Sequence, residues 1–215
     1  MRKPVLFFDL DGPVLDVSER YFRVHRDILR MLAGARRSAK KKAYWRMKRV
    51  RRPLSEILAN TGIDEAAYSK IWLAKIESPE YLPLDRVIPG AKQQLTKLKD
   101  LFQLVLVTLR HNREGLDEQL HELKLRPFFS HVLSRASLNV NGWEAKKDLI
   151  SSSGLLSLPS WIVGDSEVDI LAGKALGLTT VAVLSGIRDS KRLKEFEPDF
   201  IVDDIGDLRS SSFKK

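Results

Sequence analysis

The chain has 215 residues, enough for one large domain or for a domain with a smaller insert, and 43% of them are hydrophobic, as suits a globular protein in water. It has no cysteine, which excludes disulfides, thiolate zinc sites and a cysteine nucleophile, so a metal must sit on oxygen or on His25, His111, His121 and His131, which have no ligand spacing. The net charge of +9 belongs to one segment: ten basic residues and no acid lie between Arg36 and Arg52, and the remainder is close to neutral.

The start, Met1-Arg2-Lys3-Pro4, leads into an apolar run that aspartates soon interrupt, which does not make a secretory signal. No apolar stretch approaches the roughly 20 residues that span a bilayer. The expectation is a cytoplasmic protein with no membrane association.

Val5 to Phe8 reads as a strand buried on both faces, and it ends in Asp9-Leu10-Asp11-Gly12-Pro13. If the extended conformation persists, Asp9 and Asp11 leave the backbone on the same side. Two carboxylates at one place are costly unless a cation neutralises them or one stays protonated, and either outcome suits catalysis. Next, Asp16 and Glu19 have capping-box spacing, and an amphipathic helix follows through Tyr21, Val24, Ile28 and Leu32 to a stop at Gly34. The basic segment carries Tyr44, Trp45, Met47 and Val50 and reads as a helix with one apolar edge, interrupted at Pro53. A helix from Leu54 to Asn60 and another capped by Asp64 complete a stretch, residues 15 to 84, with no strand in it.

Strand and helix alternate thereafter. A helix opens at Pro89-Gly90, a buried strand runs from Gln103 to Thr108, and a helix follows from Gly115 to Leu123. A short strand at His131 to Leu133 precedes a helix from Lys146 to Ser152. The strand Ser160 to Gly164 ends in Asp165, with a helix after it from Ile170 to Leu176. A strand from Thr179 to Val183, a helix from Lys191 to Phe196 and a strand from Asp199 to Val202 close the series. This alternation predicts an α/β fold, a parallel sheet with helices on both faces, and an active site at the carboxyl ends of the strands.

Three of these strands end in reactive residue types: Asp9 and Asp11, Thr108, and Asp165. The string Gly164-Asp165-Ser166-Glu167-Val168-Asp169 is expected by chance in about one such chain in two hundred, and its occurrence in order after Asp9-Leu10-Asp11-Gly12 is the stronger signal. Taken singly, each residue has a plainer reading: Asp9 as a turn former, Thr108 as a β-branched strand residue, Asp169 as a first-turn helix acid, Asn112 as a loop residue.

With Thr108, Lys146 and the segment Gly164 to Asp169 in the places of its second, third and fourth motifs, the chain resembles the haloacid dehalogenase superfamily over nearly its whole length. The resemblance is to the phosphatase branch with a helical cap inserted between the first and second motifs, as in phosphoglycolate phosphatases. It implies a three-layer Rossmann-like core formed by residues 1–14 and 85–215, with an all-helical cap at 15–84. It also implies a magnesium-dependent phosphomonoester hydrolase acting on a small phosphorylated metabolite. Asp9 would be the nucleophile, Asp11 the general acid and base, and Thr108 and Lys146 the phosphate-binding groups. The metal would be held by Asp9, Asp165 and, through its backbone carbonyl, Asp11, with Asp169 orienting the lysine or metal waters. Lys147, adjacent to Lys146, leaves the choice of lysine open. Pro13 departs from the family's usual threonine and removes a hydroxyl and an N–H from the first turn. A phosphomutase of the same superfamily is one alternative, and a nucleic-acid-binding module using the basic segment is another. The basic segment itself is read first as a solvated helix face.

Overall fold

The computed structural model describes residues 3–33, 40–134, 142–157 and 159–208. In chain order the elements begin with strand β1 (Val5–Phe8), the two-residue strand β2 (Leu15–Asp16) and the helices α1 (Ser18–Ala33), α2 (Lys41–Arg49), α3 (Leu54–Ile57) and α4 (Glu65–Lys75). A second two-residue strand, β3 (Arg86–Val87), is followed by α5 (Ala91–Leu101), β4 (Gln103–Thr108), α6 (Arg113–Glu122) and β5 (His131–Ser134). The last part comprises α7 (Gly142–Ser152), β6 (Ser160–Gly164), α8 (Glu167–Ala175), β7 (Thr179–Val183), α9 (Ser190–Lys194) and β8 (Phe200–Val202).

All four side chains of β1 are buried, and they feed two cores by turns. Leu6 and Phe8 pack with Leu104, Leu106 and Val163 on one face of the sheet, and Val5 and Phe7 pack with Val105, Val107 and Ile162 on the other. A strand apolar on both faces is stable only in the interior of a covered sheet. Accordingly β1 lies between β4 and β6, parallel to both, in a six-stranded sheet of order β5-β4-β1-β6-β7-β8. Leu95 and Leu98 of α5 with Leu116 and Leu120 of α6 cover the first face, and Ile150 of α7 covers the second. The result is the α/β, Rossmann-like three-layer architecture expected from the alternation.

Register brings the strand tips together. Phe8 stands beside Leu106 on one side and Val163 on the other, so Asp9 follows with its N–H donated to the Val163 carbonyl at 2.9 Å. Thr108 and Asp165 each lie two residues beyond those partners and therefore flank the tip of β1.

Between β2 and β3 lie the helices α1 to α4, of which α1, α3 and α4 and their flanks share a cluster of their own, built on Val24, Ile28, Leu29, Leu58, Tyr68, Ile76 and Tyr81. The β2–β3 pair itself, with Leu15 opposite Val87 and Asp16 opposite Arg86 in antiparallel register, has no counterpart in the sequence reading. Two residues are too few to display a period of two. Asp16 also differs from its expected capping-box role. Its Oδ1 accepts from the Ser18 N–H at 2.9 Å, while Glu19 pairs with Arg23 and Lys41. Asp64 does cap α4, accepting from Ala67 N–H at 2.8 Å, and Asn112 caps α6 through Gly115 N–H at 3.0 Å. The stop expected at Gly34 lies outside the described residues, as do Arg36 and Arg37. Among the described residues no helix is long and apolar enough to cross a membrane.

Candidate active site

A cavity of about 200 Å³ opens at the carboxyl ends of β1, β4 and β6. Asp9, Asp11, Thr108, Lys146 and Asp165 all line it, and from the inserted helical stretch Tyr21 and Glu77 face it.

The Asp9 carboxylate is half-buried; its Oδ1 accepts the Leu10 N–H at 2.8 Å and its Oδ2 meets Lys146 Nζ at 3.1 Å. Burial, together with the neighbouring Asp169 and Asp11, pushes the Asp9 carboxyl up to about 7 in spite of the lysine. Asp165 is raised as well, by burial and by repulsion from Asp9 and Asp169. Lys146 is almost fully buried on α7, and Asp169 Oδ1 at 2.5 Å completes its pairing. Burial alone would lower the lysine, but the two carboxylates outweigh it and hold it well above its ordinary value. Lys147 turns the other way and pairs with Asp148. The geometry therefore brings Lys146, not its neighbour, to the strand tips.

Asp9, Asp165 and Asp169 each bring an oxygen within 4.8 Å of the others. Three hard oxygen donors, two buried and one half-buried, fit a hard divalent cation. Asp169 has further partners in the N–H and hydroxyl of Ser166, at 3.2 and 2.9 Å, the box that starts α8.

Two glycines are indispensable to this packing. A Cβ on Gly12, whose φ is +105°, would come within 2.3 Å of the Asp165 carboxyl, and one on Gly186 within 1.9 Å of Asp165 Oδ2. Asp165 thus sits in a slot between the turn after β1 and the loop after β7. From that loop the Ile187 N–H donates to Asp165 Oδ2 at 2.5 Å, and Ser185 Oγ donates to the Gly12 carbonyl at 2.8 Å.

Asp11 is differently placed. Its Oδ2 accepts from Arg20 Nη2 at 2.6 Å and its Oδ1 from Arg110 Nη2 at 2.5 Å. Burial opposes ionisation, but the Arg110 and Arg20 guanidiniums prevail and hold the Asp11 carboxyl at about 2. The same two arginines share Asp85, at 2.9 Å from Arg20 Nε and 3.0 Å from Arg110 Nη2. Gln119 closes the network by accepting from Arg110 and donating to Asp85. Two cations and two anions are thereby buried as a neutral, hydrogen-bonded set. None of Arg20, Asp85, Arg110 and Gln119 stood out in the sequence as site residues. Their pairings span 9 to 99 positions, and no local pattern encodes the longer ones.

Trp45 packs against the core beneath the sheet and Trp72 against the apolar cluster of the helical stretch. Both stack edgewise on Tyr21, with centroids at 6.1 and 5.3 Å. Asn112, beyond Thr108, serves as a helix cap. The basic segment is not simply a solvated face: Arg49 donates to the Leu184 and Gly186 carbonyls at 3.0 and 3.2 Å, and Arg51 pairs with the buried Glu167 at 3.0 Å.

Comparison with known proteins fits this geometry. A HAD-hydrolase-like family model matches residues 139–208. Phosphoglycolate phosphatase of Pseudomonas syringae pv. tomato is 28% identical over 167 residues, 73% of this chain and 58% of that protein. The one from Pseudomonas fluorescens is 27% identical over 215 residues, 94% of this chain and 76% of its own length. The chain thus spans about three fifths of the length of the first of these relatives. Among solved structures, a haloacid dehalogenase-like family hydrolase of Streptococcus pneumoniae superposes with a TM-score of 0.75 at 20% identity, covering 99% of both chains. A HAD-superfamily hydrolase of Geobacter sulfurreducens gives 0.65 at 20% identity, covering 95% and 93%.

Proposed function

We propose, from the premise that this chain is haloacid dehalogenase-like, that it is a magnesium-dependent phosphomonoester hydrolase working through an aspartyl-phosphate. The observation that carries the reading is the convergence of Asp9, Thr108, Lys146 and Asp165 on one cavity at the sheet's carboxyl edge. The homology to phosphoglycolate phosphatases supports a small phosphorylated metabolite as substrate.

In this reading the Asp9 carboxylate attacks phosphorus and the alkoxide leaves, which splits one hard displacement into two easier ones. Water then attacks the phosphorus of the acyl phosphate and restores the carboxylate. Lys146, fixed between Asp9 and Asp169, offsets charge on the transferring group, and Thr108 offers its hydroxyl to a phosphate oxygen. Asp9, Asp165 and the backbone carbonyl of Asp11 would hold the magnesium ion, with Asp169 orienting Lys146. The cation, when bound, supplies the positive charge that lets an anionic nucleophile approach a phosphate dianion. Asp11 is the acid and base: clamped between Arg20 and Arg110 it is ionised, the form that takes a proton from the attacking water. Giving a proton to the leaving group requires Asp11 to exchange one of those arginines for the substrate oxygen. Residues 15–84, whose helices α1, α3 and α4 share their own apolar cluster, act as the cap over the site.

The test is turnover of an aryl phosphate in magnesium and in EDTA, with borohydride reduction of the denatured, quenched reaction. The expected result is metal-dependent phosphate release and a homoserine at position 9 in the reduced protein. Reduction at a different residue would reject the nucleophile.

A further inference from the structure

The basic segment acquires a task once its contacts are followed. The carboxyl end of α2 reaches across to the loop after β7 with a set of directed bonds. Arg49 Nη2 donates to Leu184 O at 3.0 Å and Arg49 Nη1 to Gly186 O at 3.2 Å. In return the Asp189 N–H donates to Arg49 O at 3.2 Å and Arg188 Nη1 to Lys48 O at 2.9 Å. Arg188 is itself held by Glu167 through two bonds of 2.7 and 3.0 Å.

What this loop carries makes the contact consequential. Gly186 walls the slot that holds Asp165, and the next N–H, of Ile187, donates to Asp165 Oδ2. A guanidinium that bridges two carbonyls two residues apart fixes the intervening backbone, because its donors form a rigid planar fork. Here the bridge spans Leu184 to Gly186, so it sets the wall directly against the carboxylate. The inserted helices therefore bear on one of the acids proposed to hold the cation through the loop, without supplying a ligand to it.

We propose that Arg49 is a positioning residue. Docking of α2 onto the loop Leu184 to Asp189 aligns Asp165, so that closure of the helical insert and cation affinity are coupled. The inference rests on the proposed metal site, but its first measurement does not. Hydrogen exchange of the peptide spanning 184–189 is compared in the wild type, Arg49→Gln and Arg51→Gln, without metal. Arg51 belongs to the same segment and pairs with Glu167, yet it makes no bond to the loop carbonyls. Arg49→Gln is expected to speed exchange of Ile187 about tenfold, a loss typical of hydrogen bonds from a charged donor, and Arg51→Gln by less than about twofold.

The second measurement is calorimetric titration with magnesium. Arg49→Gln is expected to weaken binding about tenfold while kcat at saturating magnesium stays within about threefold, and Arg49→Lys, with one donor head, to fall between. Exchange unchanged in Arg49→Gln would overturn the clasp. Faster exchange with unaltered magnesium affinity would overturn its coupling to Asp165. A wild type that binds no magnesium would instead overturn the proposed metal site, and the exchange result would still decide the clasp.

Discussion

At the scale of single residues, the site is a compromise between buried acids and the cations that reconcile them. Asp9 titrates near 7 in the fold against 3.8 for the free side chain. An acid raised in this way costs no stability below about pH 4, and the cost grows as pH rises to about 7, because the unfolded chain releases the proton first. His25 is lowered to about 4 by burial and titrates in the opposite sense, so the informative quantity is the difference between Asp9→Asn and the wild type, in which the His25 contribution cancels. Asp9→Asn is expected to raise the metal-free Tm at pH 7.5 by about 2–4 °C and to give little gain at pH 4.5. A gain of equal size at both pH values would show that the strain does not lie on Asp9. Gly186→Ala tests the slot: its methyl would meet Asp165 Oδ2 at 1.9 Å. The variant is expected to need about tenfold more magnesium for half-maximal activity, measured by titration, and an unchanged requirement would show that the loop yields freely.

The residues that meet at the cavity were legible because each follows an apolar strand: Val5 to Phe8 before Asp9, Leu104 to Val107 before Thr108, and Trp161 to Val163 before Gly164-Asp165. Local patterns carry that information, and parallel register does the rest. Their partners were not legible. Arg20 lies on an amphipathic helix at a position that reads as polar, yet it is fully buried, since Asp85 and Asp11 come to it from 65 and 9 residues away.

At the scale of elements, the Asp11–Arg20–Asp85–Arg110 network ties α1 and the residue before β3 to the end of β4. Removing one charge from such a set leaves the others uncompensated out of water. Arg20→Met is expected to lower the unfolding free energy by about 3 kcal/mol in urea titrations, and Arg20→Met combined with Asp85→Asn by less than the sum of the two single changes. Strictly additive losses would mean that the residues do not act as a unit. The basic stretch teaches a similar lesson about elements. As sequence it is a charge run on a helix with an apolar edge, and that helix exists. What composition could not convey is that Arg49 turns inward to carbonyls 135 and 137 residues away.

For the molecule as a whole, the α/β alternation and the convergence of motifs at one sheet edge were foreseeable from periodicity, whereas the stretch 15–84, read as free of strands, opens with β2 at Leu15–Asp16. The short β2–β3 pair was not foreseeable, being shorter than any detectable pattern. The fold sets a tripod of acids, Asp9, Asp165 and Asp169, beneath helices that reach back to the loop framing Asp165, and the proposed chemistry needs both parts. Its centre is the nucleophilic role of Asp9. The most direct measurement is the rate of aryl phosphate hydrolysis by Asp9→Asn at saturating magnesium, in protein whose folding is verified by its thermal transition. A fall of ~10³-fold or more is predicted, as for the loss of a nucleophile elsewhere. Turnover within tenfold of the wild type would contradict the assignment.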